Sequence, residues 1–118
     1  MAFVVTCYYG PGGARARFAI RATHLAYMIA AQPLTILGGA LLDEGNEALG
    51  MLIVLDVADR QAAERFIHDE PYNRAGLFER VALSPFRLMS PEPHPGFLSE
   101  ELAAQEVRDS AALAEPPA

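Results

Sequence analysis

The sequence contains no lysine, no tryptophan and a single cysteine among its 118 residues. Without lysine, the chain cannot form a Schiff base with a carbonyl substrate, hold pyridoxal phosphate as an imine or build a Walker-type phosphate loop. The lone thiol of Cys7 excludes an internal disulfide and a thiolate metal cage. The histidines are scattered along the chain, so we expect no metal site and a fold stabilised by apolar packing.

Long apolar runs and concentrated positive charge are also missing. No apolar stretch approaches the ~20 residues that a membrane-spanning helix needs, and the first residues lack the order of a secretory signal. The net charge is −6 at pH 7, and no basic cluster is present to neutralise a phosphate backbone. We therefore expect a cytoplasmic protein that binds neither a membrane nor nucleic acid.

Apolar residues, by contrast, make up 52% of the chain and charged residues 20%, a composition typical of a folded globular protein. Prolines at alternate positions follow residue 90 and mark a change in composition. We predict one domain over residues 1–89 and an extension over residues 90–118. The extension consists of a Pro-rich linker and an acidic helix from Ser99 to about Ala114. It carries five of the six net negative charges.

The apolar pattern and the chain breakers of residues 1–89 predict six elements in the order β-α-β-β-α-β. They are a strand over Ala2–Tyr9, a helix from Arg15 to about Gln32, a hairpin of strands over Leu34–Leu42 and Gly50–Val57, a helix capped by Asp59 that ends before Pro71, and a strand over Leu77–Arg87. This is the ferredoxin-like split βαβ order, an α+β fold in which helices cover one face of a four-stranded antiparallel sheet. Because both sides of the last strand are apolar, we expect a homodimer packed through the open sheet faces.

Two stripes run side by side along the first predicted helix. An apolar stripe consists of Phe18, Ala22, Leu25 and Ile29. A neighbouring stripe consists of Arg17, Arg21, His24 and Met28. If the apolar stripe faces the core, Arg21 and His24 lie at its border with water. A histidine at such a border can move protons, because its charge changes near neutral pH. A half-buried histidine beside two solvated arginines is the alternative interpretation.

Carboxylates gather at the end of the second predicted helix, where Asp69 and Glu70 precede Pro71. The helices of a split βαβ unit lie side by side, so this end can bring Glu70 or Asp69 to His24. A histidine with a carboxylate partner is a general base with an orienting group. The alternative is that both carboxylates are solvated and Tyr72 packs back onto the domain.

Two further features point to a pocket. The aromatic rings of Tyr8, Tyr9 and Tyr72 can line a pocket and stack on a substrate, although core packing is their default role. Gly38 and Gly39 interrupt an apolar strand. This pair suggests a bulge, or a place where the backbone closely approaches another group.

Three segments together resemble the YciI-like, or YCII-related, family of dimeric α+β barrel proteins: Arg21–Leu25, Leu37–Leu41 and Glu70–Glu79. The resemblance covers about residues 3–89. It implies a ferredoxin-like subunit, a sheet-to-sheet dimer and a cofactor-free pocket with a histidine and aspartate dyad. The histidine corresponds to His24.

The family's aspartate position holds Glu70 in this chain. Either Glu70 or Asp69 supplies the carboxylate, or the dyad is lost. Gly39 stands where family members usually have proline. The resemblance also implies a fold shared with lyases, isomerases and cofactor-independent monooxygenases, and one YciI-like relative is associated with removal of chloride from a chlorinated hydroxyquinol.

The sequence therefore predicts a small cofactor-independent enzyme, a lyase, isomerase or dehydrochlorinase, that acts on a hydroxylated aromatic or ring-derived small molecule. His24 is the predicted acid or base, and Glu70 or Asp69 is its partner. The predicted substrate-binding residues are Arg17, Arg21, Gly38, Tyr8 and Tyr72. The alternative is a non-catalytic module that binds a small molecule or a partner protein, which the missing aspartate and the long extension favour.

Overall fold

The structure is a computed structural model that describes residues 1–114. The last four residues of the predicted extension, 115–118, lie outside the described residues. The strands and helices are β1 (Ala2–Tyr9), α1 (Gly13–Ala16), α2 (Arg21–Ala30), β2 (Thr35–Leu42), β3 (Ala48–Asp56), α3 (Arg60–Asp69), α4 (Pro71–Arg74), β4 (Phe78–Phe86) and α5 (Phe97–Ala114). Short 3-10 segments, Arg17–Ile20 and Gln32–Leu34, precede and follow α2.

The four strands form one antiparallel sheet in the order β2-β3-β1-β4. This order confirms the predicted ferredoxin-like α+β fold. The turn between β2 and β3 is closed by Asp43, whose Oδ1 accepts hydrogen bonds from the backbone N–H groups of Gly45 and Glu47. Asn46 adopts a positive φ of 65° there, a conformation that asparagine tolerates better than most residues.

The core lies between one face of the sheet and the helices. Alternate residues of the two central strands point into it, namely Phe3, Val5 and Cys7 of β1 and Met51, Ile53 and Leu55 of β3. Helix α3 adds Ala63, Phe66 and Ile67, as its apolar spacing predicts. The Asp59 side chain accepts a hydrogen bond from the Ala62 backbone N–H and caps α3.

The close pairing of β1 and β3 depends on a glycine. A Cβ atom on Gly50 would lie 1.8 Å from the carbonyl oxygen of Cys7, so no other residue fits at this point of the sheet. The glycine therefore permits the central strands, and the core residues they carry, to approach each other.

The predicted first helix differs from the structure in both length and orientation. The stretch that was expected to be one helix is divided into α1, a 3-10 turn and α2. Its apolar stripe faces outward, because Phe18 is 63% exposed, Leu25 40% and Ile29 65%. The residues on the inner side include Tyr27 and Met28, which pack against the core. The inward side of α2 thus includes His24 and Met28 of the second stripe and also Tyr27, which belongs to neither stripe, whereas Arg21 is exposed.

The glycine pair in β2 does not form the bulge that was one of its two interpretations. The irregularities of the β2–β3 pairing lie between Thr35 and Leu37 and between Leu41 and Leu42. Gly38 and Gly39 pair regularly with Ile53 and Leu52.

The chain divides into two compact units after Arg87. The predicted boundary at residue 89 lies two residues further on. In the second unit, α5 begins at Phe97 rather than at the expected cap, Ser99, and none of its residues is buried.

No helix among residues 1–114 has both the length and the apolar character needed to cross a lipid bilayer.

Helices α2 and α3 are joined by a hydrogen bond. The Tyr27 hydroxyl donates to the backbone carbonyl of Phe66 at 2.7 Å. Phe66 is in the last turn of α3, where carbonyls have no partner within the helix. The tyrosine therefore satisfies a helix end and fixes α2 against α3.

We expect Tyr27→Phe to lower the free energy of unfolding by ~1 kcal/mol, because the Phe66 carbonyl loses its donor. Urea denaturation followed by circular dichroism measures the change. Tyr8→Phe is the control, since it removes the same hydroxyl from a residue of β1 outside the helical layer. Equal effects of the two substitutions would contradict the assigned role of Tyr27.

Candidate functional site

Glu70 lies between two helices at the end of the layer that covers the sheet. It follows the last residue of α3 and precedes Pro71, and its backbone is extended, with φ −62° and ψ 129°. A residue before proline is restricted to such conformations, which ends α3 at this point. The Glu70 Oε2 atom accepts a hydrogen bond of 3.1 Å from the Asn73 backbone N–H and thereby caps α4.

The other carboxylate oxygen of Glu70 contacts His24 on α2. The distance from Oε1 to the His24 Nδ1 atom is 2.5 Å, and the side chains are 0% and 13% exposed, respectively. A carboxylate accepts hydrogen bonds, so the Nδ1 nitrogen donates in this contact. The Nε2 nitrogen is therefore left as the imidazole position that can exchange a proton with another molecule.

An aromatic ring fixes the plane of the imidazole. Tyr72, the second residue of α4, stacks on His24 with ring centroids 3.9 Å apart and an interplanar angle of 7°. The ring of Tyr9 meets Tyr72 edge-on at 6.2 Å. Contacts from Glu70 and Tyr72 thus hold the His24 ring in both position and orientation.

The two tyrosines keep their hydroxyl protons over a wide pH range. Burial raises the pKa of Tyr72, although the positive charges of Arg21 and Arg17 oppose the shift. Burial, followed by the neighbouring Tyr72, raises the pKa of Tyr9 to about 12. Both hydroxyls are therefore neutral hydrogen-bond donors near pH 7.

His24 lies in the wall of a cleft of about 580 Å³ between α2 and the β2–β3 hairpin. The polar side chains that line it include Arg17, Arg21, His24, Tyr9 and Tyr72. Its apolar lining includes Leu25, Met28, Ile29, Leu42 and Met51. The backbone of Gly38 and Gly39 also borders the cleft.

The structure therefore brings together most of the site residues predicted from the sequence, but not all. Of the two candidate carboxylates, Glu70 reaches His24, whereas Asp69 is exposed and contacts His68 Nδ1 at 3.0 Å. Tyr8 does not line the cleft, in contrast to the prediction. It pairs with Gly50 and Arg80 on the sheet face opposite Cys7, because successive residues of a strand point to opposite sides.

The side chain of Tyr9, rather than that of Tyr8, borders the cleft. Tyr9 lies on the same face of β1 as the buried Cys7, as strand alternation requires. Sequence reasoning missed one contribution to the site, the capping of α4 by Glu70. Its signal is present in the sequence, because a carboxylate residue before a proline is a common start of a helix.

Thiolate groups and groups of metal ligands are other sources of chemistry in sites of this kind. Burial and, secondarily, the charge of Glu70 raise the pKa of the Cys7 thiol from 9.0 to about 12, so Cys7 is not a thiolate at neutral pH. Among residues 1–114, no three histidine, cysteine or acidic side chains are grouped so that they could hold a metal ion.

A ferredoxin-like α+β chain whose cleft holds a half-buried histidine paired with a buried glutamate defines a recognisable class of small protein. The chain belongs to the YCII-related domain family, which matches residues 1–87. This match confirms the resemblance identified from the three sequence segments. No curated protein matches the chain.

Several solved structures resemble the chain at low sequence identity. One is the 5-chloro-2-hydroxyhydroquinone dehydrochlorinase TftG from Burkholderia phenoliruptrix AC1100, in complex with 2,5-dihydroxybenzoquinone. It has a TM-score of 0.70 and 21% identity, and the alignment covers 78% of this chain and 99% of TftG. This likeness supports the ferredoxin-like fold.

Two other structures align less closely. SnoaB, a cofactor-independent oxygenase from Streptomyces nogalater, has a TM-score of 0.48 and 20% identity, with 77% of this chain and 96% of SnoaB covered. NE2512, a protein of unknown function from Nitrosomonas europaea, has a TM-score of 0.48 and 22% identity, with 75% and 88% covered.

We expect Glu70→Ala to lower the free energy of unfolding by ~3 kcal/mol or more, because it removes the partner of a buried imidazole and the cap of α4. Asp69→Ala is the matched control on the adjacent carboxylate. Its pair with His68 is exposed, so the expected loss is ~1 kcal/mol or less. Urea denaturation of the two variants and the parent protein measures both values. Similar losses for the two substitutions would contradict the structural role of Glu70.

The Cys7 thiol predicts a specific dependence of stability on alkaline pH. Its pKa is about 12 in the folded chain and 9.0 ordinarily, so the folded state holds this proton more tightly than the unfolded state. The thiol's contribution to stability is therefore complete below pH 9.0 and is lost as the pH rises towards about 12. We expect Cys7→Ala to show a shallower decline of unfolding free energy between these values. Parallel declines would contradict the assignment.

Proposed function

We propose that the chain is a cofactor-independent acid/base enzyme that acts as a lyase, isomerase or dehydrochlorinase on a hydroxylated aromatic or ring-derived small molecule. The observation that carries the proposal is the 2.5 Å contact between His24 Nδ1 and the buried Glu70 carboxylate in the wall of the cleft. A buried carboxylate that holds one imidazole nitrogen makes the other nitrogen a positioned base.

In the proposed reaction, His24 Nε2 removes a proton from a carbon or hydroxyl group of the substrate. The electron pair of the broken bond forms a new double bond. In an elimination, the formation of this double bond expels a leaving group such as halide. In an isomerisation, the same imidazolium protonates a second carbon. Glu70 stabilises the imidazolium charge while it exists. Neither step requires an oxidant or a reductant.

Arg17 and Arg21 give the cleft its positive charge. Both line the cleft together with His24, and the positive charges of both oppose the rise in the pKa of Tyr72. Guanidinium groups bind carboxylates and phenolates through charge-assisted hydrogen bonds. We therefore assign them to an anionic group of the substrate, with the Tyr72 hydroxyl as an additional donor.

The similarity to TftG supports the proposed substrate class. That protein is a dehydrochlorinase of a chlorinated hydroxyhydroquinone, and its structure contains a dihydroxybenzoquinone. Elimination of chloride from such a ring is acid/base chemistry of the kind that His24 and Glu70 are arranged to perform. One fold hosts several reactions, so the panel tested extends from this ring to other ring systems.

We also propose a homodimer packed through the sheet faces. The face opposite the core carries Val4, Thr6 and Leu52, which are only half-buried within the single chain. A second copy of this face is the simplest complement, because apolar strand residues on an open sheet favour burial.

The test is turnover of a panel of hydroxylated, halogenated and quinonoid rings, with 2,5-dihydroxybenzoquinone as one member, followed by absorbance and mass spectrometry. For the substrate turned over best, we expect His24→Ala to reduce kcat/KM at least 100-fold, the lower range of the contribution of a general base. His68→Ala is the matched control, because that histidine is exposed and does not line the cleft. A His24→Ala variant as active as the parent protein would overturn the proposal.

The non-catalytic alternative makes a different prediction in the same experiment. A binding module would retain panel members without converting them, and His24→Ala would alter affinity alone. Equilibrium binding to the same compounds therefore separates the two functions.

A further inference from the structure

The apolar part of the cleft is exposed on both of its walls. Leu25 and Ile29 of α2 form one wall, and Leu42 of β2, which is 51% exposed, belongs to the other. Leu25 and Ile29 were expected to face the core from the first helix, yet neither belongs to the buried core cluster, and neither does Leu42. Large apolar side chains around a concave surface favour contact with an apolar ligand.

Neither close packing nor backbone conformation requires glycine at Gly38 or Gly39 of β2. A Cβ atom on Gly39 would meet nothing within 4 Å, and one on Gly38 would be at an ordinary contact distance of 3.5 Å from Ile53 and Leu52. Neither glycine has a positive φ. Glycine in a strand interior is otherwise unfavourable, because it offers no side chain to pack. Gly38 pairs with the core residue Ile53, so the space that it leaves open belongs to the cleft. Gly39 pairs with Leu52 and faces the opposite side of the sheet.

The polar and the apolar cleft residues of α2 lie in different segments of the helix. Arg21 and His24 are in its first turns, whereas Ile29 is in its last turn. A helix rises ~1.5 Å per residue, so Ile29 lies about 12 Å along the axis from Arg21. The cleft volume of about 580 Å³ is within the range of ~300–1,000 Å³ that holds ligands larger than a single ring.

From this arrangement we propose that the cleft binds elongated small molecules with an anionic group at one end and an apolar body at the other. The anionic group is bound by Arg17 and Arg21, beside His24. The apolar body extends over Gly38, towards Ile29 and Leu42. The inference rests on the proposed function for its placement of the reacting end, but the binding itself does not require turnover.

The experiment is calorimetric titration of the protein with butanoate, hexanoate, octanoate and decanoate, and with 1-octanol as the neutral counterpart. We expect affinity to rise up to about fourfold per added methylene, the factor for burying one such group, while the chain remains within the cleft. Arg21→Gln should weaken octanoate at least tenfold and leave 1-octanol unchanged, because only the carboxylate uses the guanidinium.

Gly38→Leu separates the two ends of the cleft. The added side chain should weaken octanoate at least tenfold while butanoate, which occupies the polar end, binds as before. Ala26→Leu is the control, since it enlarges an exposed residue of α2 that does not line the cleft. Circular dichroism confirms that each variant is folded.

Affinities independent of chain length, or octanoate binding unchanged by Gly38→Leu, would overturn this proposal. The outcome is distinct from that of the turnover experiment. Octanoate binding that persists in His24→Ala supports the site whether or not His24 catalyses a reaction. If turnover depends on His24 but affinity does not change with the length of the carboxylate chain, the proposed enzyme activity is supported. The proposal that the cleft binds elongated molecules is then wrong.

Discussion

Glu70 is a carboxylate without exposed surface, and its two oxygens are shared between two elements of the fold. One oxygen accepts from His24 on α2, and the other accepts from the Asn73 backbone at the start of α4. Burial of a carboxylate is costly unless both oxygens are satisfied, so neither contact is dispensable. The position of α2, the start of α4 and the orientation of the imidazole therefore depend on the same side chain.

The remaining groups of the site are arranged around that contact. Tyr72 follows Glu70 by two residues, so the helical turn that the carboxylate caps is also the one that stacks an aromatic ring on His24. The hydrogen bond from Tyr27 to α3 holds α2 from the other side. Positioned in this way, the imidazole needs little rearrangement to act on a bound molecule, which is the main requirement of acid/base catalysis by a single histidine.

Much of the fold is predictable from the sequence, because the period-two pattern of β1 and β3 and the cap at Asp59 are local signals. The orientation of α2 is not predictable in the same way. Its two neighbouring stripes both contain apolar residues, and only packing against the sheet decides which of them turns inward. The sequence pattern alone therefore favoured the stripe that in fact faces the cleft and solvent.

The site shows the same division between local and long-range information. His24 and the carboxylate cluster are visible in the sequence, but the choice between Asp69 and Glu70 depends on where the chain turns. Pro71 decides it, since the proline ends α3 and directs the side chain before it inward. Tyr8 and Tyr9 illustrate the opposite case, because strand alternation from the buried Cys7, a local signal, determines which ring borders the cleft.

The proline after Glu70 also has an evolutionary consequence. With the backbone of residue 70 confined to an extended conformation, the side-chain length alone sets how far the carboxylate reaches towards α2. An aspartate at this position would end one methylene short of the imidazole unless α2 shifted towards it. Residue 70 and the docking of the helix that carries residue 24 are therefore expected to change together as homologous chains diverge.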